Sequence, residues 1–215
     1  MKKGLFITFE GTEGSGKSTQ ISLLANRLRA MGLKVRALRE PGGTAIGEEL
    51  RHTLKHSKDN AAMTPETELL LMNASRAQLV REVIRPALAG GEIVLCDRFF
   101  DSTTAYQGYG RRLDLKTIQN ITTVVVGDTR PALTLLLMVP LELSEQRRLA
   151  RQSSLPFVRD RMEEADREFF ARVAKGYEAI ASAEPKRVRL IDATGSVEDT
   201  EAKIWKHVQP LLETH

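Results

Sequence analysis

The sequence predicts an α/β fold in which a five-stranded parallel sheet is flanked by helices. Short apolar runs of strand length alternate with longer segments whose apolar residues recur at helical spacing. Between the first predicted strand and the first predicted helix, residues 11–18 have the sequence GTEGSGKS. This stretch, called the phosphate loop below, fits the pattern G-x-x-x-x-G-K-[ST], which binds phosphate where a strand passes into a helix.

The flanking segments give the phosphate loop its structural context. Residues 5–9 predict a buried strand, and the apolar residues of 21–31 recur at helical spacing up to Gly32. Backbone N–H groups and the helix dipole then form an anion site. We expect Lys17 to contact the outer phosphates of a nucleotide and Ser18 to hold Mg²⁺. A chance glycine-rich turn is the alternative.

Composition limits the class of protein. The 215 residues can bury a substantial core, and no linker or repeat divides them, so we expect one domain over residues 1–215. No signal peptide and no membrane-spanning run is predicted, and the single cysteine, Cys96, suits a reducing cytoplasm. The net charge of +4 comes from local arginine clusters, which favour small phosphorylated ligands over nucleic acid. We therefore expect a cytoplasmic protein.

A second strand is predicted over residues 33–38, followed by the turn-forming sequence REPGGT at 39–44. Ligands of open α/β sheets bind at the carboxyl ends of the strands, so Arg39 is placed to reach a bound anion. A solvated loop arginine is the alternative. The sequence leaves open whether the bond before Pro41 is cis.

A long helix is predicted from Pro65 to about residue 85. Thr64 is a residue type that favours the N-cap, and proline suits the first helical position. Met72 and Arg76 lie about one turn apart, so the helix can present an apolar contact beside a guanidinium. A solvated arginine on the helix surface is the alternative for Arg76.

The third predicted strand, residues 93–96, ends in Asp97 and Arg98. A carboxylate at the tip of a buried strand beside a phosphate loop is the usual position for the acidic group of a Mg²⁺ site. Arg98 is placed to neutralise phosphate, and a structural Asp–Arg ion pair is the competing interpretation. The segment 99–111 is rich in hydroxyl, amide and aromatic groups, which suit recognition of a base and sugar; a plain capped helix is the alternative.

Two further strands are predicted over 132–139 and 188–191, with helices over 160–183 and from Val197 onwards. Five arginines lie within a stretch of 15 residues after the first of these strands: Arg147, Arg148, Arg151, Arg159 and Arg161. Like charges this close repel one another unless an anion is present, so we predict a short arginine-rich lid over 147–161 that closes on nucleotide phosphates. A solvated helix is the alternative.

Four motifs together, in order and spacing, closely resemble those of bacterial thymidylate kinases. They are FEGTEGSGKST at 9–19, REPGGT at 39–44, DRF at 97–99 and STTAYQG at 102–108. The resemblance extends from about residue 5 to residue 194. It implies a P-loop NTPase fold, phosphorylation of dTMP to dTDP by ATP with Mg²⁺, and a homodimer packed through helices.

The resemblance also implies roles for individual residues. The residues implied to bind ATP are Gly11, Glu13, Gly14, Ser15, Gly16, Lys17, Ser18, Thr19 and Ala193. Those implied to bind dTMP are Glu13, Arg39, Pro41, Met72, Arg76, Arg98, Ser102, Thr103, Tyr106, Gln107 and Glu163. Those implied to act in catalysis are Lys17, Arg39, Asp97, Arg98, Arg147, Arg151 and Arg161. Ser18 and Asp97 are the implied metal ligands.

Within the implied dTMP site, two positions have distinct tasks. Arg76 resembles the arginine that contacts a thymine carbonyl, and Tyr106 resembles the tyrosine associated with rejection of a ribose 2′-hydroxyl. Met72 stands where relatives usually have a phenylalanine that stacks on thymine, and a sulfur–aromatic contact can replace that stacking in part. Met138 stands where many relatives have an aspartate, so any role of that aspartate is missing.

Ser15 stands where some relatives have a phosphate-loop arginine. This matches the bacterial subgroup that takes its catalytic arginine from the lid. The candidates for that arginine are Arg147, Arg151, Arg159 and Arg161.

Other functions fit part of the pattern. A kinase for another nucleotide or for a deoxynucleoside shares the phosphate loop, but a nucleoside kinase needs no arginine for an acceptor phosphate. A nucleotide-gated switch of the GTPase type predicts an Asn-Lys-x-Asp segment, and the sequence contains none.

Overall fold

The computed structural model describes residues 4–154 and 165–213. Its centre is a five-stranded sheet with the strand order β2-β3-β1-β4-β5, in which every neighbouring pair is parallel. The strands are β1 Leu5–Glu10, β2 Val35–Arg39, β3 Ile93–Asp97, β4 Leu133–Met138 and β5 Val188–Asp192. The predicted α/β class and five-stranded parallel sheet are therefore confirmed.

Helices cover both faces of the sheet. The α-helices of the described residues are α1 Lys17–Ala30, α2 Ala45–Lys55, α3 Pro65–Leu79, α4 Arg85–Ala89, α5 Phe100–Thr103, α6 Leu115–Val126, α7 Leu141–Ser154, α8 Arg167–Ala183 and α9 Val197–Glu213. Two π-helical segments, Val80–Ile84 and Thr104–Gly110, join α3 to α4 and extend α5. A short 3₁₀ turn covers Lys58–Ala62.

The central strands are apolar without alternation because both of their faces are covered. On one face, Ile7 and Phe9 pack in a cluster with Leu28 of α1 and Ile204 of α9. On the other face, Phe6 packs with residues of α3, α6 and the first π-helical segment. Cys96 is fully buried in this second cluster, as its apolar surroundings in the sequence predicted.

Several predicted boundaries were wrong. The helix predicted to end near residue 85 continues to Ala89, since a wider π-helical turn precedes Pro86, which has no N–H to donate. The helix predicted over 160–183 begins at Arg167, where the Asp166 side chain accepts from the Phe169 N–H at 2.6 Å and caps it. Residues 160–164 lie outside the described residues.

Two helices, α2 and α6, were not predicted. The segment 99–111 is helical from Phe100 to Gly110, so the helix alternative for its backbone is correct. No helix of the described ranges is both long enough and apolar enough to cross a lipid bilayer.

The parallel register brings the polar strand ends to one edge of the sheet. Phe9 of β1 and Arg39 of β2 are both in register with Asp97 of β3. The phosphate loop, the loop after β2 and the helical segment after β3 therefore leave the same edge, which is where open α/β sheets bind ligands.

Candidate active site

The phosphate loop has backbone conformations that only glycine adopts easily. Gly11, Gly14 and Gly16 have φ angles of +133°, +71° and +89°. A Cβ on Gly11 would also lie 2.2 Å from the carbonyl oxygen of Leu137 in β4. Gly16 precedes α1 and provides no side-chain cap, so the first N–H groups of α1 are left for a ligand.

Lys17 is buried beneath this loop. Its Nζ donates to the carbonyl oxygens of Gly11 at 3.1 Å and Thr12 at 2.8 Å, and to Ser15 Oγ at 3.4 Å. Burial, followed by the nearby Arg98 charge, lowers the pKa of Lys17 to about 8. A phosphate group at the loop would oppose that shift, because it supplies the negative charge that the buried ammonium needs.

Ser18 and Asp97 form a pair of hard oxygen donors, in which Ser18 Oγ donates to Asp97 Oδ2 at 3.0 Å. Mg²⁺ is commonly held by one or two protein oxygens together with water and substrate phosphates, and this pair fits that requirement. Across residues 4–154 and 165–213 no cluster of three or more His, Cys, Asp or Glu side chains could hold a metal by itself.

A cleft with about 450 Å³ of empty volume, open solvent included, lies beside the phosphate loop. Its lining residues are Glu13, Glu40, Pro41, Lys55, Met72, Arg76, Arg98, Ser102, Thr103, Tyr106 and Gln107. The structure thus brings together nine residues predicted for the dTMP site and adds Glu40 and Lys55. The predicted Glu163 lies outside the described residues.

Arg98 joins the cleft to the phosphate loop. One of its Nη atoms donates to Glu13 Oε1 at 2.6 Å and to the Tyr106 hydroxyl at 3.1 Å, and the other donates to the Gly11 carbonyl at 3.0 Å. No ion pair joins Arg98 to Asp97 in the described part of the chain. The competing interpretation of a structural Asp97–Arg98 pair is therefore wrong.

Arg76 also lines the cleft and is buried, so the alternative of a solvated surface arginine is wrong. It donates to Glu40 Oε2 at 2.7 Å, Thr103 Oγ1 at 2.7 Å, Asn73 Oδ1 at 3.3 Å and the Phe99 carbonyl at 3.0 Å. Burial raises the pKa of Glu40, and Arg76 opposes that shift. Glu40 Oε1 is buried and accepts no hydrogen bond from any described group.

A second buried carboxylate contacts a residue of the cleft. Glu68 of α3 accepts from Gln107 Nε2 at 2.8 Å and from Arg111 at 3.2 and 3.0 Å. Because Gln107 Nε2 donates one of its two hydrogens to Glu68, its carbonyl oxygen and its second N–H are the groups left for the cleft.

The other predicted arginines lie elsewhere. Arg39 does not line the cleft; it pairs with Glu48 of α2 at 2.9 Å and its side chain is 56% exposed. Arg147 of α7 donates to the Gly14 carbonyl at 3.3 Å and the Ala193 carbonyl at 3.4 Å, which links two predicted ATP-binding segments. Thr19 lies exposed in the first turn of α1.

Residues 155–161 of the predicted lid lie outside the described residues. Arg151 belongs to α7. Arg159 and Arg161 lie outside the described residues. The lid and its catalytic arginine therefore stay predictions.

Comparison with known proteins identifies the family of this chain. A family model described as thymidylate kinase matches residues 9–204. The chain belongs to the thymidylate kinase family. A thymidylate kinase of Synechococcus sp. (strain JA-2-3B'a(2-13)) is 48% identical over 208 residues, covering 97% of this chain and 96% of the relative. One of Pseudomonas syringae pv. tomato is 49% identical over 210 residues, covering 98% and 97%.

A solved structure of the same family has a similar fold. The crystal structure of thymidylate kinase from Ehrlichia chaffeensis matches with a TM-score of 0.76 and 33% sequence identity. The match covers 96% of this chain and 99% of that chain. Together these findings confirm the family that the four sequence motifs indicated.

The family motifs did not reveal every polar group of the site. Glu10, Glu68 and Tyr177 are fully buried and contact residues of the cleft, yet none was predicted to take part. Glu10 carried a local signal, since it is a carboxylate at the end of an apolar strand. Tyr177 carried none, because it occupies an ordinary apolar position of α8 and is far from the motifs in sequence.

Proposed function

We propose that this chain transfers the terminal phosphoryl group of ATP to the 5′-phosphate of dTMP, giving dTDP. One observation carries the proposal most strongly: Arg98 lines the cleft and also donates to Gly11 of the phosphate loop. A phosphate held by Arg98 would therefore adjoin phosphates held by the loop. Two phosphorylated ligands placed end to end are what a nucleoside monophosphate kinase requires.

On this proposal the donor nucleotide lies at the phosphate loop. The open N–H groups at the start of α1 would contact its phosphates, and Lys17 would neutralise them. Arg147 ties the loop to Ala193, where the donor base or sugar would lie. Mg²⁺ held by Ser18 and Asp97 would neutralise charge on the outer phosphate oxygens.

The acceptor dTMP would lie in the cleft, with its phosphate toward Arg98 and its base toward Arg76 and Gln107. Met72 would contact the base through its thioether. Tyr106, whose hydroxyl is held by Arg98, would lie beside the sugar. The role of Arg39 on the acceptor phosphate stays a prediction, since Arg39 pairs with Glu48 outside the cleft lining.

Phosphoryl transfer between two anions needs their repulsion to be screened, with little covalent participation by the protein. Lys17 and Arg98 supply two fixed positive charges on either side of the transferred group. An arginine from residues 147–161 is our candidate for a third. A homodimer in the cytoplasm, with no nucleic-acid or membrane partner, completes the proposal.

Nucleotide specificity tests the proposal directly. ADP release from ATP is measured with dTMP, dUMP, dCMP and no acceptor. GDP release from GTP alone is measured as the control for a nucleotide switch. We expect dUMP, which lacks one methyl group, to lose about 10- to 200-fold in kcat/KM. We expect a larger loss for dCMP, because cytosine presents an amino donor to the Arg76 donor. Equal values for the three acceptors would contradict base recognition by Arg76, and GTP hydrolysis without acceptor would favour the switch.

A further inference from the structure

Glu10, at the end of β1, is a buried carboxylate that lines no part of the cleft. It is fully buried and accepts hydrogen bonds from the Phe99 N–H at 2.7 Å, the Ser102 N–H at 3.3 Å, Ser102 Oγ at 2.6 Å and the Tyr177 hydroxyl at 2.9 Å. A buried carboxylate is costly unless donors surround it, and here four donors do. Glu10 therefore has no direct contact with the cleft, and its hydrogen bonds reach the cleft through these neighbours.

The first oxygen, Oε1, fixes the backbone around Arg98. Arg98 has a φ of +70°, a left-handed conformation that is uncommon for residues other than glycine. Its N–H donates to the Phe9 carbonyl of β1 at 2.9 Å, and the next N–H, that of Phe99, donates to Glu10. Phe99 provides no side-chain cap for α5, so Glu10 supplies that cap from a neighbouring strand.

The second oxygen, Oε2, sets the direction of two hydroxyl groups. Ser102 and Tyr177 donate to Glu10, and both hydroxyl oxygens then accept from the same Nη of Arg98, each at 3.1 Å. A hydroxyl has one hydrogen, so when both hydroxyls donate to the carboxylate, their oxygens, which lie 2.9 Å apart, leave lone pairs toward the guanidinium. One Nη of Arg98 thus donates to two acceptors that Glu10 orients. The other Nη donates to Glu13 and Tyr106.

We propose that Glu10 is a positioning residue that holds the Arg98 guanidinium for the acceptor phosphate, acting through Ser102, Tyr177 and the backbone of Phe99. The proposal rests on the function proposed above, in which Arg98 binds the dTMP phosphate. It assigns to α8 a part in acceptor binding, because Tyr177 belongs to that helix.

Glu10→Gln tests this arrangement with a side chain of the same shape. The amide oxygen can still accept from the backbone, but its NH₂ group competes with Arg98 for the lone pairs of Ser102 and Tyr177. We expect the dissociation constant for dTMP to rise about tenfold, the effect of losing one hydrogen bond to a charged group. Thymidine has no phosphate, so its dissociation constant should not change.

Glu68→Gln is the matched control, because Glu68 is an equally buried carboxylate that holds the base side of the cleft through Gln107. Glu68→Gln should raise the dissociation constants of dTMP and thymidine by the same factor. Tyr177→Phe removes only the hydroxyl and should weaken dTMP about threefold without affecting thymidine. If Glu10→Gln does not fold, as judged by its melting curve, the Tyr177→Phe result decides the question.

Arg98→Ala separates failure of this inference from failure of the function proposed above. If Arg98→Ala raises the dissociation constant of dTMP but not that of thymidine, the phosphate role of Arg98 is supported. If that selectivity is seen in Arg98→Ala but Glu10→Gln and Tyr177→Phe weaken both ligands equally, or neither, Glu10 is not a positioning residue. If Arg98→Ala itself weakens both ligands equally, the acceptor assignment is wrong.

Discussion

At the scale of single residues, Lys17 places a buried positive charge at the phosphate loop. The ammonium is buried and held by carbonyl oxygens, which are weaker partners than phosphate. The ammonium must therefore exchange these carbonyl partners for phosphate oxygens when a nucleotide binds.

Lys17→Ala should reduce kcat at least ~100-fold, by analogy with the loss of one preorganised donor to a transition state. ADP release in the presence of ATP and dTMP measures the effect. Lys34→Ala is the control, because Lys34 is an exposed lysine at the opposite end of β2, and it should have near-normal turnover. Near-normal turnover of Lys17→Ala as well would rule out the assignment of the phosphate loop.

Glu10 makes a separate prediction for stability against pH. Burial and the neighbouring Asp101 raise its pKa to about 7, and Arg98 opposes the shift. Below about pH 7 the folded state then holds a proton on Glu10 that the unfolded state has released, so stability falls as pH rises from about 5 to about 8. The ionised carboxylate that accepts from Ser102 and Tyr177 is the form present above about pH 7.

The free energy of unfolding measured from pH 5 to 8 in wild type and in Glu10→Gln isolates this effect. The wild-type value minus the Glu10→Gln value should decrease with rising pH, because Asp101, Arg98 and Tyr177 remain in both proteins. A difference that stays constant or rises over that range would show that the Glu10 pKa is not raised.

At the scale of secondary structure, the helix starts follow local capping chemistry. Thr64 Oγ1 accepts from the Thr67 N–H at 3.2 Å, and Pro65 occupies the first turn of α3. The sequence predicted this start because the cap and the helix are adjacent in the chain. The bonds that hold α5 were not predictable in this way, since its cap is Glu10, 89 residues from Phe99.

Thr64→Ala should lower the free energy of unfolding by about 1 kcal/mol, the usual cost of losing a threonine N-cap. Thr53→Ala is the control, because Thr53 is an exposed threonine within α2, and alanine there should be neutral or slightly stabilising. Urea unfolding curves compare the two variants. Equal stability of Thr64→Ala and wild type would mean that the cap contributes nothing measurable.

At the scale of the whole molecule, the packing leaves apolar side chains exposed on two neighbouring helices. Leu70 of α3 and Val124 of α6 are 57% and 77% exposed. These positions support the proposed homodimer packed through helices, because a partner would remove them from water.

Val124→Asp should shift the protein from dimer to monomer, because association would bury a new charge. Leu190→Asp is the control, since Leu190 is also apolar and is 57% exposed but lies on the edge strand β5 and not on α3 or α6. Sedimentation velocity of wild type and both variants measures the state. A monomeric wild type, or dissociation by Leu190→Asp alone, would contradict this interface.

The sequence by itself determined the sheet and the phosphate loop, because apolar runs, glycines and capping residues act on near neighbours. Most residues of the cleft were predicted through the resemblance to thymidylate kinases. Only the tertiary structure decided that Arg76 is buried against Glu40, that Arg39 pairs with Glu48 and that Arg98 pairs with Glu13 and not with Asp97. Tyr177 meets Glu10 across 167 residues of chain. A side chain's partner across such a distance depends on how helices and strands pack, which local spacing does not encode.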